Sequence, residues 1–397
     1  MGLISRRRRC TVWAKLCLAL PRTTFHLIYA LFLISLTCTC GGDTIRMNGP
    51  ATKPHNSGYP KTSENQDQKL RKQLGQIAST AKANVGVAAL VLETGASVSL
   101  NSHEHFPMQS VYKLPISMAV MQQVDAGKLT LDQKVRVTKE DFVRRGQHSP
   151  IRDTYPKGAE LSVSELLRFA ISESDGTASD VLMRLAGGPE VVQAYLNDLG
   201  INEMVVANSE KEIGQDWQTQ YRNWASPEAA VALLRALYER RGLSEQSQML
   251  LLKLMVESTP GAKRLKGLLP AGTVVAHKTG TSGTQNGITA ATNDIGIITL
   301  ANGRHLAIAV FVSDSAADEA TRESVIAKIA RAVWDDAVAS RNRADQRTGQ
   351  NHPRERMGRR PREVALADNS ITRLLELPAH AVVLTYFACK VIISCSL

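Results

Sequence analysis

Apolar residues recur at helical spacing over 67–83, where Leu70, Leu74, Ile77 and Ala81 fall on one face. Residues 85–92 form a nearly unbroken apolar run, and with Ser97–Leu100 they predict a hairpin turning at Glu93-Thr94-Gly95. Helical patterns then dominate, at about 110–125, 162–172, 177–186, 189–198, 226–240 and 244–256. Strand patterns return late, at 273–278, 290–300 and 305–312, the last two joined through Asn302-Gly303, a strong hairpin signal. A final helix is expected over 318–338. Strands at both ends with helices between them predict one sheet built from distant parts of the chain. The helical middle, about 125–260, then forms a second lobe. There is no internal repeat.

Composition changes the picture mainly through where charge sits. The chain has 397 residues, 43% of them apolar, with 48 Lys+Arg against 37 Asp+Glu. That suffices for a buried core and excludes a disordered chain. Residues 1–46 carry a net +6 and residues 341–397 a net +5, while residues 47–340 hold 31 basic and 31 acidic side chains. A body that gripped nucleic acid would carry its excess cations on that body, because phosphate neutralisation supplies most of the affinity. A nucleic-acid partner is therefore discounted.

The ends speak to compartment. Arg6-Arg7-Arg8-Arg9, Lys15 and Arg22 precede an apolar run from Phe25 to Leu36, and small or polar residues follow to Asp43. This is the order of a secretory signal peptide over 1–40, and the run is short for a bilayer span. An anchor that stays attached has a similar order. Cys38 or Cys40 could carry a lipid, although the threonine before each departs from the small residues such a cleavage site prefers. All six cysteines lie in the ends, none between 41 and 388. The body cannot rest on a disulfide, and cysteine nucleophiles or Cys-based zinc sites are excluded from it. Residues 41–66 read as a flexible linker and 341–370 as disordered. The apolar stretch from Leu374 is interrupted by Glu376, His380 and Lys390, and the extension 341–397 has no assigned role.

Three motifs could carry chemistry. Ser110-Val111-Tyr112-Lys113 sets a hydroxyl and an amine one helical turn apart, so both can face one cleft. Serine is a weak nucleophile until a base takes its proton, and a lysine kept neutral by burial can do that. A second copy, Ser79-Thr80-Ala81-Lys82 at the polar end of the first helix, shows how weak the motif is alone. Ser174-Asp175-Gly176 lies between two predicted helices. Its serine could relay a proton, or simply cap the helix starting near Thr177. In Lys278-Thr279-Gly280-Thr281, a cation and hydroxyls on a sheet edge suit a carboxylate, and the glycine lets a ligand backbone approach. His103-Glu104-His105 has the spacing of two metal ligands. However, Pro107 stands where a His-x-His-x-Asp zinc hydrolase has its carboxylate, so no metal and no cofactor are assigned.

In this order and spacing the three motifs resemble the class A serine β-lactamases. The resemblance extends along about 67–340. It is closest to the PER-type extended-spectrum subgroup in Gln109-Ser110-Val111-Tyr112-Lys113-Leu114, in the run from Arg264 to Thr273, from His277 to Gly283, and in Ala291-Thr292-Asn293-Asp294-Ile295-Gly296. It implies an α/β (α+β) fold, an antiparallel sheet flanked by helices plus an all-helical domain, with the active site between them. The implied activity is hydrolysis of penicillins and cephalosporins by a monomer. Membrane contact would come only through the signal or a lipid anchor. Ser110 becomes the nucleophile, Lys113 or Glu210 its base, and Ser174 the proton donor to the leaving nitrogen. Lys278, Thr279, Gly280 and Thr281 hold the substrate. Glu210 directs the hydrolytic water, with Glu212 the runner-up. Two glycines depart from the pattern: Gly176 replaces a substrate-contacting asparagine, and Gly214 a residue that helps hold the water. His148 takes the place of an aromatic gatekeeper. A penicillin-binding D-alanyl-D-alanine peptidase shares the serine, lysine and Lys-Thr-Gly but lacks the glutamate. A non-hydrolysing β-lactam receptor is the alternative from another class.

Overall fold

The apolar run at the start of the domain forms strand Asn84–Val91, which pairs on one side with Ser97–Leu100 and on the other with His305–Ser315. Ile288–Thr299 and then Val275–Thr281 complete the row, and Thr284–Gln285 adds to Ile288–Thr299. All these pairings are antiparallel, and the register sets Val87 opposite Val310, Ile295 opposite Ala309 and Lys278 opposite Ile295. The computed structural model describes residues 61–350, with side chains for 68–339. The expected export signal, linker residues up to 60, all six cysteines and the extension from 351 onward lie outside the described residues.

The central strands are apolar at nearly every position because both faces are covered. Val85, Val87, Ala89, Ile308, Val310 and Val312 meet Leu70 and Leu74 of helix Lys61–Ser79 and Val325, Ile326, Ile329 and Val333 of helix Glu319–Gln350. The alternate residues, Ala88, Ala307, Ala309, Phe311 and Ile295, join the core of the helical lobe. At the centre of that lobe is helix Lys113–Asp125, buried on all sides over its first nine residues. Around it pack Val163–Ile171, Gly176–Ala186, Pro189–Asp198 and Glu245–Val256. Their starts carry readable signals: Ser162 with Glu165 forms a capping box, and Asp175 and Ser244 accept bonds from the first turn.

Several boundaries differ from expectation. The first helix begins at Lys61, inside the stretch assigned to the linker, because no glycine or proline interrupts the chain between Pro60 and Gly75. The last helix continues to Gln350, past the expected start of disorder at 341, because its first glycine is Gly349. Helix Pro227–Tyr238, assigned to the helical lobe, packs on the sheet strands Asn84–Val91 and His305–Ser315. The apolar face of the sheet, not proximity in sequence, selects its partner. Two small sheets have no counterpart in the sequence pattern. One is Lys134–Val137 with Ala159–Ser162; the other joins Phe106–Pro107, Trp224–Ala225 and Met204–Val205. Strands of two to four residues leave too few positions for a period to show.

Candidate active site

Ser110 lies in a short 3-10 turn, Gln109–Tyr112, that runs directly into helix Lys113–Asp125. Residues three apart eclipse in a 3-10 turn, so the serine and Lys113 emerge on the same side. Both line a cleft of about 710 Å³ shared with Gly146, Gln147, His148, Ser174, Glu210, Gly214, Thr279 and Thr281. Gln109, just before the serine, sits in the left-handed region (φ 47°), and so does Ser174 (φ 60°). Such conformations persist only where neighbours over-determine them. Here Gln109 donates from Nε2 to Gln220 Oε1 at 2.7 Å, while Gln220 donates to Trp217 O at 2.7 Å.

Lys113, 1% exposed, donates to Ser174 O at 2.7 Å and lies 3.5 Å from Glu210 Oε2. Tyr112 donates its hydroxyl to the same Oε2 at 2.8 Å. Burial pushes that phenol well above its ordinary range, and the Glu210 charge adds to the effect, so it stays a donor. Across the cleft, Lys278 is fully buried and donates to Ser174 Oγ at 2.8 Å and to Thr279 O at 3.1 Å. Burial, reinforced by the Lys113 charge, holds Lys278 well below the usual lysine range. Ser174 thus connects the two lysines, one through its carbonyl and the other through its hydroxyl.

Glu210 opens the short helix Glu210–Ile213, whose N-cap is Ser209. Glu212 closes a capping box with Ser209, accepting from Ser209 N at 2.7 Å and from its Oγ at 2.9 Å. The runner-up carboxylate is therefore committed to its own helix, and Glu210 is the one that faces the cleft. Asp180 holds this segment from behind, its two carboxylate oxygens accepting from Glu210 N at 2.6 Å and Lys211 N at 3.0 Å. Burial pushes Asp180 up to about 7 against the pull of those bonds. The loop carrying Glu210 is closed by buried Asn223, which accepts from Ala207 N and Asn208 N at 2.8 Å each and donates to Asn208 O.

Residues 69–337 match the model of the β-lactamase enzyme family. The chain belongs to that family. This β-lactamase is 47% identical over 267 residues to the extended-spectrum β-lactamase PER-1 of Pseudomonas aeruginosa, spanning 67% of this chain and 86% of PER-1. Against the β-lactamase VEB-1 of the same organism the identity is 40% over 274 residues, covering 68% and 91%. The crystal structure of a β-lactamase from Chitinophaga pinensis DSM 2588 superposes with a TM-score of 0.66 at 48% identity, covering 68% of this chain and 99% of the other. The family makes this chain a class A enzyme that hydrolyses β-lactams and confers resistance to them.

In the β-lactamase the sequence-selected residues come together with some changes of part. Ser110, Lys113, Ser174, Glu210, His148, Thr279 and Thr281 all line the one cleft. Lys278 does not: it lies beneath the wall and reaches the cleft through Ser174. Ser174 does not cap the following helix, because Asp175 does so and also accepts from Ile151 N at 2.7 Å. A Cβ on Gly280 would lie 2.2 Å from Met108 O, so the backbone that needs this glycine belongs to the enzyme itself, next to the serine turn. Gly176 leaves room for Glu210, whose Cγ would be 2.8 Å from an added Cβ. His148 accepts Gly176 N on its carbonyl at 2.9 Å, and its ring Nε2 is 2.9 Å from Glu173 O. His103 sits between Glu203 and Glu228 and His105 stacks on Trp224. The decoy Ser79 donates to Gln76 O at 2.8 Å on an exposed helix end.

Tyr112, Asp180, Gln147, Gln220 and Arg264 were not singled out by the sequence. Arg264 is nearly buried and donates to Gly280 O at 3.2 Å, Asn293 O at 3.0 Å and Thr281 Oγ1 at 2.9 Å, with Glu323 3.2 Å away. It fixes the hydroxyl of Thr281 and adds positive charge behind it. A carboxylate set directly before the apolar run Val181-Leu182-Met183 of helix Gly176–Ala186 was the one local signal for Asp180.

Proposed function

We propose that this enzyme opens its β-lactam substrate through a covalent acyl-enzyme on Ser110. The substrate carboxylate rests on Thr279 and Thr281, with the Arg264 guanidinium supplying positive charge from behind the strand and Lys278 lying beneath it. Ser110 attacks the strained amide carbonyl while Lys113, or Glu210 through a water, takes its proton. The oxyanion is received by the backbone N–H groups of Ser110 and Thr281, a contribution of about 3 kcal/mol per donor. Ser174, between Lys113 and Lys278, delivers a proton to the departing nitrogen. Glu210 then directs water onto the acyl carbonyl.

The observation that carries this reading is Glu210 Oε2 beside both Lys113 Nζ (3.5 Å) and the Tyr112 hydroxyl (2.8 Å), on the cleft that Ser110 lines. The Glu210→Ala variant is expected to acylate rapidly and then stall, so that mass spectrometry after mixing with a penicillin finds the intact adduct on Ser110. A variant that turns over at the wild-type rate with no adduct removes Glu210 from the mechanism.

The same proposal places the mature enzyme in the periplasm, exported by residues 1–40. Its support is the order of basic flank, apolar run and small residues. N-terminal sequencing of protein released by osmotic shock is expected to begin near residue 41. Full-length chain confined to the membrane fraction contradicts export with cleavage, and lipid labelling at Cys38 or Cys40 identifies the lipoprotein route.

A further inference from the structure

Gly214, directly after helix Glu210–Ile213, has no open space beside it. A Cβ there would lie 2.6 Å from both Cδ and Oε1 of Gln147 and 2.8 Å from its Nε2. The amide of Gln147 therefore fills the volume that a side chain at position 214 would occupy. It arrives from the loop that also presents His148, and Gln147 and Gly214 both line the cleft. Its Nε2 donates to the Glu210 carbonyl, which also accepts the helix bond from Gly214 N at 3.1 Å. Its Oε1 accepts from Arg144 N at 3.1 Å, and the Arg144 guanidinium donates to Gly214 O at 3.2 Å.

The loop behind Gln147 is itself held firmly. One nitrogen of Arg152, Nη1, donates to the carbonyls of Gln147 at 3.0 Å, Arg144 at 2.8 Å and Val143 at 3.3 Å. Gly176 N donates to His148 O at 2.9 Å, tying the loop to the helix that carries Asp180. The backbone of Glu210 is thereby gripped at both ends, its N–H by Asp180 and its carbonyl by Gln147. A carboxylate that must aim a water at an acyl carbonyl depends on that placement, since small displacements of a catalytic group cost large factors in rate.

We infer that Gln147 is a positioning residue for deacylation, supplying from the neighbouring loop the support that Gly214, lacking a side chain, cannot give to Glu210. The inference rests on the deacylating part of Glu210 proposed above. Glutamine at 147 and glycine at 214 then form a matched pair, each requiring the other.

Stopped-flow and steady-state kinetics with a chromogenic cephalosporin test this. In Gln147→Ala the acylation rate is expected to stay within about twofold of wild type while deacylation falls about 10-fold or more. Then kcat and KM drop together and kcat/KM is kept, a split that general loosening of the cleft does not produce. Gln147→Glu keeps the size but lacks the amide donor and is expected to show the same split. Gly214→Asn alone is expected to displace the Gln147 amide and slow deacylation, whereas in the Gln147→Ala background it recovers part of the deacylation rate. Unchanged deacylation in Gln147→Ala, or Gly214→Asn equally harmful in both backgrounds, overturns the inference. Glu210→Ala measured alongside separates the two levels: if it stalls while Gln147→Ala does not, only the positioning part fails. If Glu210→Ala itself deacylates normally, the reading beneath it fails.

Discussion

The chain contains the same tetrad, Ser-x-x-Lys, at residues 79–82 and 110–113, and the two copies have opposite fates. In the first, Ser79 bonds back to Gln76 O at the end of its own helix, Thr80 bonds back to Ile77 O, and Lys82 follows exposed in the left-handed region (φ 47°). In the second, the lysine is buried at the junction of sheet and helical lobe, within reach of Ser174 and Glu210. A motif of two residues specifies chemistry only where burial and partners change what its side chains do. What separates the copies lies about 60 to 165 residues further along the chain, in loops and a strand that the tetrad itself does not encode.

The largest expected contrast is between the two serines. Ser110→Ala should lower kcat/KM for a chromogenic cephalosporin by at least ~10³-fold, as removal of a nucleophile does, whereas Ser79→Ala should leave it within about twofold. Comparable losses in both variants would erase the distinction between the tetrads. Next comes the strand that leans on the active copy. Gly280→Ala puts a methyl 2.2 Å from Met108 O, so strand and serine turn must part. The expected cost is about 1–3 kcal/mol in urea unfolding together with a clear loss of activity, while Gly283→Ala, with open space around it, should change neither.

A third contrast is one of charge. Asp180 is held at about 7 in the folded enzyme, above its ordinary 3.8. A raised carboxylate contributes least to stability when ionised, so its contribution is full below about pH 4 and is lost as pH rises to about 7. In Asp180→Asn this loss is absent. The variant's Tm relative to wild type should therefore be higher at pH 8 than at pH 4.5, by about 2–4 °C for each kcal/mol involved. A difference independent of pH would show that the side chain matters only through its two N–H bonds. The smallest effect belongs to the idle tetrad: Lys82→Gly relieves a left-handed lysine and should stabilise the fold by about 1 kcal/mol without altering turnover. Reduced turnover in that variant would give the exposed copy a part it is not assigned here.

Long elements were legible in the chain. The helices expected at 162–172, 177–186, 226–240 and 244–256 begin within a residue of those starts, at positions capped by Ser162, Asp175, Ser226 and Ser244, because capping is a local bond between neighbours. The Asn302-Gly303 turn likewise joins the two long strands as expected. The resemblance put Glu210 ahead of Glu212, and in the fold the capping box commits Glu212 to its own helix while Glu210 lines the cleft. Lys278 was expected to meet the substrate carboxylate at a sheet edge but is buried, since a strand pattern does not reveal that Ser174 will cover its end. Tyr112 lies inside the Ser110–Lys113 motif, and only the fold places its hydroxyl on Glu210.

What the sequence determined by itself were the properties carried by neighbours in the chain: the helices and their starts, the neutral and cysteine-free body, and the three motifs in their order. Tertiary structure decided which carboxylate faces the serine, that Lys278 works from beneath the wall, and that Gly280, Gly176 and Gly214 are needed for close approach to Met108, Glu210 and Gln147. The physical reason is range. Periodicity and capping act over a few residues. Burial, charge coupling and steric fit act between segments that only folding brings together, and in this enzyme the chemistry depends on them.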